Sequence, residues 1–324
     1  MPLLHQYDNT NQTVLQDQKN GKEEPWRAKK VRSLKLADSL HRLGDHKRAN
    51  RVWWCSESVS FAVVTETGER LLHDANFCRE RLCPMCAWRR SRKIFHQVSQ
   101  VMEGVDKESP GLVPIFLTLT LRNCSATKLS GTLDTVFSGW HNMVNHRKIK
   151  RIVRGWFRAL EITYNKQDDT FHPHIHAILL VDKSYFKSKD YMETTEWVKM
   201  WRTSLKLNYD PVCDIRKVKQ KGKNKAVAEV AKYTLKDTEY ISDDVELTDK
   251  LVKTLGEALR GRRLYAFGGL MKEVAKRLGI KDKDVGEGDL IHVDGKELRP
   301  DIGYVLQVFR WNIGLSNYIL EEKK

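Results

Sequence analysis

Features that would place this chain in a membrane or a secretory pathway are missing from its sequence. No apolar run approaches the roughly 20 residues that a membrane-spanning helix needs, and no helical segment has a lipid-like apolar face. Residues 1–20 are polar and contain no signal-peptide apolar region. We therefore expect a cytoplasmic protein with no membrane partner, in which disulfides among the six cysteines would be unusual.

Negative charge is also in short supply. The 324 residues include 57 Lys and Arg against 42 Asp and Glu, a formal net charge of +15. Such an excess indicates a polyanionic partner, with nucleic acid favoured over a membrane surface. A hydrophobic content of 40% is enough for a proper core, and the length fits two or three domains or one large domain with arms.

Four of the cysteines have a spacing typical of a metal site. Cys55, Cys78, Cys83 and Cys86 form a C-x22-C-x4-C-x2-C pattern, and a C-x2-C pair presents two thiolates to one ion. Tetrahedral zinc takes four such ligands, so we predict a structural Zn²⁺ here. The alternatives are unrelated buried thiols, or a site in which His73 replaces one cysteine.

Basic residues cluster in three segments. Residues 22–51 carry ten Lys and Arg against four Asp and Glu, on a helical pattern that is either a solvated face or a DNA-tracking arm. A basic helix follows Cys86, the last of these four cysteines. Residues 216–225 contain six basic residues and no acid. This density favours phosphate contact over a merely solvated loop. The candidate DNA-binding residues are Arg89, Arg90, Arg92, Lys93, Lys219, Lys221, Lys223, Lys232 and Lys236.

The middle of the chain contains an alternating histidine motif. His174 and His176 are two apart in a β-branched, apolar run, so a strand would place both imidazoles on one face. Residues 156–164 form the preceding strand, and a turn near residue 168 makes the two a hairpin. Strand parity allows Glu161 to join the two histidines as a third ligand of a divalent metal; the alternative is a salt-bridged strand glutamate. His172 is a spare ligand or a hydrogen-bonding neighbour.

A helix over residues 226–236 carries the next candidate pair. Val227 and Val230 mark its apolar face, whereas Glu229 and Tyr233 are four apart and stack on the opposite, basic face. That face is unsuited to core packing and suited to handling a phosphate.

Three motifs in this order resemble a known family. FLTLT at 116–120, HPHIH at 172–176 and EVAKY at 229–233 resemble the replication initiators of rolling-circle plasmids, members of the HUH endonuclease superfamily. RLCPMCAWRR at 81–90 and YAFGGL at 265–270, read as a turn, are similar to the branch with a cysteine-rich N-terminal part. The resemblance implies an α+β fold whose central antiparallel sheet is flanked by helices, with an N-terminal zinc module and a helical C-terminal extension.

The resemblance also implies roles for individual residues. His174 and His176 become metal ligands, with Glu161 the candidate third ligand, and Tyr233 matches the single nucleophilic tyrosine. Glu229 matches the glutamate that this branch uses in place of a second tyrosine. The expected activity is a nicking-closing endonuclease that forms a 5′-phosphotyrosine, requires Mn²⁺ or Mg²⁺, and uses glutamate-assisted water cleavage at termination.

The partners implied are plasmid double-strand origin DNA, with a single-stranded nick site extruded as a hairpin and flanking duplex, and a host helicase. Two other interpretations stay open: another HUH enzyme such as a relaxase or transposase, and a zinc-stabilised DNA-binding repressor without catalysis. Relaxases usually carry their tyrosine before the histidines, whereas Tyr233 follows them.

We expect four segments along the chain. They are a flexible basic arm at residues 1–50, a zinc-binding module and basic helix at 51–110, the HUH nuclease core at 111–245, and a C-terminal extension at 246–324 that is integrated with the core.

Overall fold

A computed structural model of the chain describes residues 13–16, 18–19, 22–218, 223–231, 236–280, 288–295 and 302–321. The strands in this part of the chain are β1 (Gln18–Lys19), β2 (Lys22–Glu23), β3 (Ser58–Val64), β4 (Arg70–Ala75), β5 (Leu112–Thr120), β6 (Val153–Asn165), β7 (Thr170–Asp182), β8 (Cys213–Lys217), β9 (Tyr265–Gly269), β10 (Tyr304–Asn312) and β11 (Asn317–Leu320). The α-helices are α1 (Trp26–Arg42), α2 (His46–Trp53), α3 (Pro84–Glu108), α4 (Ala126–Asn145), α5 (Arg147–Ile152), α6 (Thr194–Leu205), α7 (Lys223–Val230), α8 (Asp237–Tyr240), α9 (Val245–Ala258) and α10 (Leu270–Arg277).

The chain forms two compact units, Met1–Arg89 with Asp289–Lys324, and Arg90–Gly288. The boundary falls inside α3, so neither unit matches one of the four segments expected from the sequence. That four-part division assigns roles along the chain and stays a prediction. None of the helices in the described part of the chain is both long enough and apolar enough to cross a membrane.

The first unit is built on an antiparallel sheet with the order β11-β10-β3-β4. Its inner strand β3 buries Val59 and Phe61, whose alternation fits a half-buried strand, and Phe61 lies opposite Gln307 of β10. The predicted helical C-terminal extension is therefore only partly helical, because residues 304–312 alternate well enough to pair with β3.

The second unit is built on a five-stranded antiparallel sheet with the order β8-β5-β7-β6-β9. The α+β class and the antiparallel sheet with the histidines on its middle strand are thus confirmed. Side chains from α3, α7 and α10 pack on one face against Phe116, Phe157 and Ile178. Helices α4 and α6 lie on the other side, where the indole of Trp201 donates to the Thr120 carbonyl at 2.9 Å. Burial on both faces explains why β7 is apolar at nearly every position beyond the histidines.

The hairpin of β6 and β7 sets the register on which the site depends. Its turn at residues 166–169 is held by Asn165, whose Oδ1 accepts from the Gln167 N–H at 2.9 Å. Asp169 adopts a left-handed conformation with φ 50°, which aspartate tolerates better than most residues. The hairpin predicted from the sequence is confirmed, with Glu161 directly opposite His174.

The segment YAFGGL, read as a turn from its glycines, instead forms the edge strand β9. A Cβ at Gly268 would lie 2.1 Å from the Trp156 ring, so the glycine lets the indole pack directly against the strand. Gly269 (φ 53°) then makes the corner into α10.

Candidate metal and nucleic-acid sites

The two strands of the hairpin bring one carboxylate and two imidazoles together. Glu161 Oε2 lies 2.9 Å from His176 Nε2 and 3.4 Å from His174 Nε2. All three residues are at most 9% exposed. Such distances follow from strand parity, because Glu161 and His174 are a cross-strand pair and His176 is the next residue on the same face.

The other ring nitrogen of each histidine has its own partner. His176 Nδ1 lies 3.1 Å from Thr118 Oγ1 on β5, and His174 Nδ1 lies 3.2 Å from the His172 carbonyl. With a metal bound, a protonated Nδ1 that donates to these oxygens would leave each Nε2 lone pair for the ion, whereas without a metal the Nε2 atoms can carry the protons that bond Glu161. Sequence reasoning missed Thr118, because the motif FLTLT shows a threonine but not the strand register that pairs it with His176.

The charge balance at this cluster favours an ionised carboxylate. Burial raises the pKa of Glu161, but hydrogen bonds from His174 and His176 outweigh it and hold the pKa well below its usual range. His172 lies beside them, its ring centroid 5.3 Å from that of His174, and burial together with the His174 charge lowers its pKa. His172 is not part of the three-residue cluster.

The cluster has the donor set and spacing for a divalent ion. In octahedral coordination with ligand distances of about 2.1 Å, adjacent ligand atoms lie about 3.0 Å apart. The observed separations of 2.9 and 3.4 Å bracket that value. Two imidazoles and one carboxylate are therefore a candidate site for a divalent metal ion.

Helix α7 lies on the same side of the sheet as the cluster. Val227 and Val230 of α7, and Ala231 directly after it, are buried with Phe116 and Ile178, the apolar face that the sequence predicted.

The helix predicted over residues 226–236 differs from the structure, in which α7 ends at Val230 and Lys236 is extended. Glu229 is half-buried on this helix. Tyr233, the predicted nucleophile, lies outside the described residues.

The four cysteines of the first unit converge on one point. Cys55 Sγ lies 3.6 Å from the Sγ atoms of both Cys83 and Cys86, and Cys78 Sγ lies 3.7 Å from that of Cys86. Tetrahedral zinc with Zn–S bonds of about 2.3 Å places its sulfurs about 3.8 Å apart, so the cluster fits this ion without rearrangement. His73 is an exposed residue of β4 and does not belong to the cluster.

Backbone amides stabilise negative charge on this cluster. The Cys78 N–H donates to Cys55 Sγ at 3.4 Å, the Arg79 N–H to Cys86 Sγ at 3.3 Å, and the Glu80 N–H to Cys78 Sγ at 3.4 Å. Burial alone would raise the pKa of the Cys83 thiol, but hydrogen bonds from the other cysteines and Ser33 lower it well below its usual value.

The predicted DNA-binding residues fall into distinct environments. Arg89 is 3% exposed, and its guanidinium donates to the carbonyls of Leu290 and Ile291 at 2.8 and 2.6 Å. The phosphate contact predicted for Arg89 does not fit this position, because the side chain already caps a neighbouring loop inside the fold. Arg90 is also buried, at 7% exposure, whereas Arg92 and Lys93 are partly exposed on α3.

The remaining basic candidates surround α7. Lys236 is exposed, with its Nζ 3.7 Å from Glu239. Lys219, Lys221 and Lys232 lie outside the described residues, and Lys223 is described only through its backbone in α7.

Known proteins resemble this chain over most of its length. The family model described as "Replication protein" matches residues 69–319. The chain is 36% identical to a "Protein rep" of Bacillus amyloliquefaciens over 95% of its own length and 98% of the relative. It is also 36% identical to a "Protein rep" of Streptococcus pneumoniae over 99% of both chains, and 34% identical to a "Replication protein" of Staphylococcus aureus over 70% of this chain and 98% of the relative. No solved structure gives a significant match.

Proposed function

Because the chain belongs to the replication protein family, as its motifs predicted, we propose that it initiates rolling-circle replication of a plasmid by nicking one strand of the double-strand origin. The observation that carries this proposal is the buried cluster of Glu161, His174 and His176, in which both Nε2 atoms face one carboxylate oxygen. A repressor that only binds DNA has no use for such a cluster beside a basic helix.

Glu161, His174 and His176 would hold a divalent ion, Mn²⁺ or Mg²⁺, which would supply Lewis-acid stabilisation of charge on the non-bridging oxygens of the scissile phosphate. The Tyr233 hydroxyl would lose its proton as its oxygen attacks phosphorus and forms the 5′-phosphotyrosine bond. The bond to the 3′ oxygen breaks, and that oxygen takes up a proton to become the primer 3′-OH. The bond energy is retained, so strand closure needs no ATP.

Glu229 would act at the termination of replication. It precedes Tyr233 by four residues in the sequence, and α7 packs its apolar side against the sheet. As a general base, Glu229 would take a proton from water that attacks the regenerated site, so that termination leaves no second covalent link.

The charge distribution fits origin DNA as the partner. We propose that Arg92, Lys93 and Lys236, with the basic residues at 219–232, contact phosphates of a single-stranded, hairpin nick site and its flanking duplex. Residues 1–50 would act as a basic arm and 51–110 as the zinc-stabilised module of this interface. Nicking alone does not unwind a duplex, so we also propose that a host helicase unwinds the nicked origin.

The test uses a single-stranded origin oligonucleotide labelled at its 3′ end, with Mn²⁺. The wild type should form a denaturation-resistant adduct, and Tyr233→Phe should not. Glu229→Gln should form the adduct but fail in the water-dependent second cut. Tyr240→Phe is the matched control, because Tyr240 is only 2% exposed and is unavailable as a nucleophile. Adduct formation by Tyr233→Phe would remove this tyrosine from the mechanism. If no variant cleaves with either metal, the protein acts by binding alone.

A further inference from the structure

Lys30 is a buried lysine whose hydrogen bonds go to main-chain carbonyls. It lies on α1, and its side chain is 1% exposed. Its Nζ donates to the carbonyls of Trp53 and Cys55 at 2.7 and 2.8 Å, and both acceptors are neutral. Among the described residues, no carboxylate lies within ion-pair distance of it. A buried ammonium is costly unless an opposite charge compensates it, so its counter-charge has to come from another group.

The cysteine cluster contributes to that counter-charge. Burial lowers the pKa of Lys30, and negative charge at Cys55, Glu57, Cys83 and Cys78 acts in the opposite direction; three of these four residues are ligands of the predicted zinc site. Four thiolates around one Zn²⁺ would carry a net charge of −2. The metal-loaded cluster would therefore add to the negative charge of Glu57 beside this lysine, which four neutral thiols would not.

Ser33 contacts a second ligand of the same cluster. It lies one turn from Lys30 on α1, fully buried, with its Oγ 3.4 Å from Cys83 Sγ. The same Oγ accepts from the Met85 N–H at 3.4 Å, inside the C-x2-C segment, and lies 2.9 Å from the Lys29 carbonyl. A thiolate at Cys83 draws the single hydroxyl proton to sulfur and away from the Lys29 carbonyl.

We infer that Lys30 and Ser33 are positioning residues of the zinc centre, and that α1 docks in the first unit through their contacts with its ligands. Lys30 holds the main-chain carbonyl of the ligand Cys55, and Ser33 donates to the ligand Cys83. The inference rests on zinc occupancy of the four cysteines and not on the nicking chemistry.

A second role for Lys30 has to be separated from this one. One acceptor, Trp53, is the last residue of α2 and the other, Cys55, lies two residues beyond it, so Lys30 also caps the C-terminus of that helix. Capping alone predicts a loss of stability in a lysine variant without any change in the metal centre. The decisive readouts are therefore metal affinity and the spectrum of the centre.

The test is made on the full chain without DNA. Lys30→Met should bind zinc about 10- to 100-fold more weakly than the wild type, the range typical of groups that support metal ligands. Competition with a chromogenic chelator measures this affinity. Ser33→Ala should shift the sulfur-to-metal charge-transfer band of the Co²⁺-substituted protein. Lys35→Met removes the same charge from a partly exposed position of α1 and should match the wild type.

Hydrogen exchange on the unmutated chain guards against a variant that fails to fold. Amides of α1 should be protected with zinc bound and should lose protection after chelation. The inference fails if Lys30→Met retains zinc as tightly as Lys35→Met, or if α1 keeps its protection without the metal. If the chain binds neither Zn²⁺ nor Co²⁺, the proposed zinc site is ruled out, and this inference with it. The oligonucleotide assay tests the nicking proposal independently.

Discussion

At the scale of single residues, the two histidines differ in what holds their rings. The His174 Nδ1 partner is a main-chain carbonyl, which no substitution removes, whereas the His176 partner is the Thr118 hydroxyl. The orientation of His176 is therefore the one that mutation can test.

Thr118→Val keeps the side-chain shape and removes the hydroxyl. We expect Mn²⁺ affinity to fall by roughly 10- to 100-fold, because the His176 ring loses the contact that fixes its tautomer. Thr118→Ser should recover most of it. Isothermal titration calorimetry measures both, with Thr120→Val as the control, since Thr120 lies on the same strand face but donates to the Val212 carbonyl. Equal affinities for the two valine variants would contradict the prediction.

Residue-level reasoning from the sequence succeeded where a short-range rule determines the geometry. Period-two alternation predicted that Glu161 joins His174 and His176, and ligand spacing predicted the four cysteines. The same reasoning did not predict which charged side chains are buried. Lys30 and Arg89 are both in basic stretches that indicate a solvent-exposed surface, yet tertiary packing surrounds each with carbonyl oxygens. No local pattern in the chain reports such packing.

At the scale of elements, the packing of β9 against β6 depends on Gly268, which pairs with Trp156. A Cβ at Gly268 would meet the Trp156 ring at 2.1 Å. We expect Gly268→Ala to lower the free energy of unfolding by about 1–3 kcal/mol, because the indole or the edge strand must move. Denaturant unfolding measures the change.

Gly131→Ala in α4 is the opposite case. A Cβ there has no neighbouring atom within 4 Å, and alanine is the better helix former, so stability should rise by up to about 1 kcal/mol. A loss of stability in both variants would show that the close contact at Gly268 is not what distinguishes them.

Strand β9 also shows why a secondary-structure element is harder to predict from the sequence than the face of a strand on which a residue lies. Two adjacent glycines favour a turn when the sequence is taken locally, but pairing with Phe157 and packing of Trp156 make the segment a strand. Strand β10 likewise depends on β3, a partner very distant in sequence; Thr65 of the adjoining loop donates to the Gly303 carbonyl, 238 residues further along the chain.

At the scale of the whole molecule, each metal cluster is built entirely from residues of one compact unit. We therefore expect the two sites to be lost separately. Cys86→Ser should abolish zinc retention and leave Mn²⁺ binding, and His176→Ala should do the reverse. Metal content by mass spectrometry and Mn²⁺ titration measure both, and loss of both metals from either variant would contradict the prediction.

The first unit is assembled from the beginning and the end of the described chain, with the second unit continuous between them. During translation, every strand of the five-stranded sheet leaves the ribosome before β10 and β11 do. The strands of the five-stranded sheet are thus all available while β3 still lacks β10 on one edge. A chain stopped before β10 would contain every residue of the histidine cluster but an incomplete first unit.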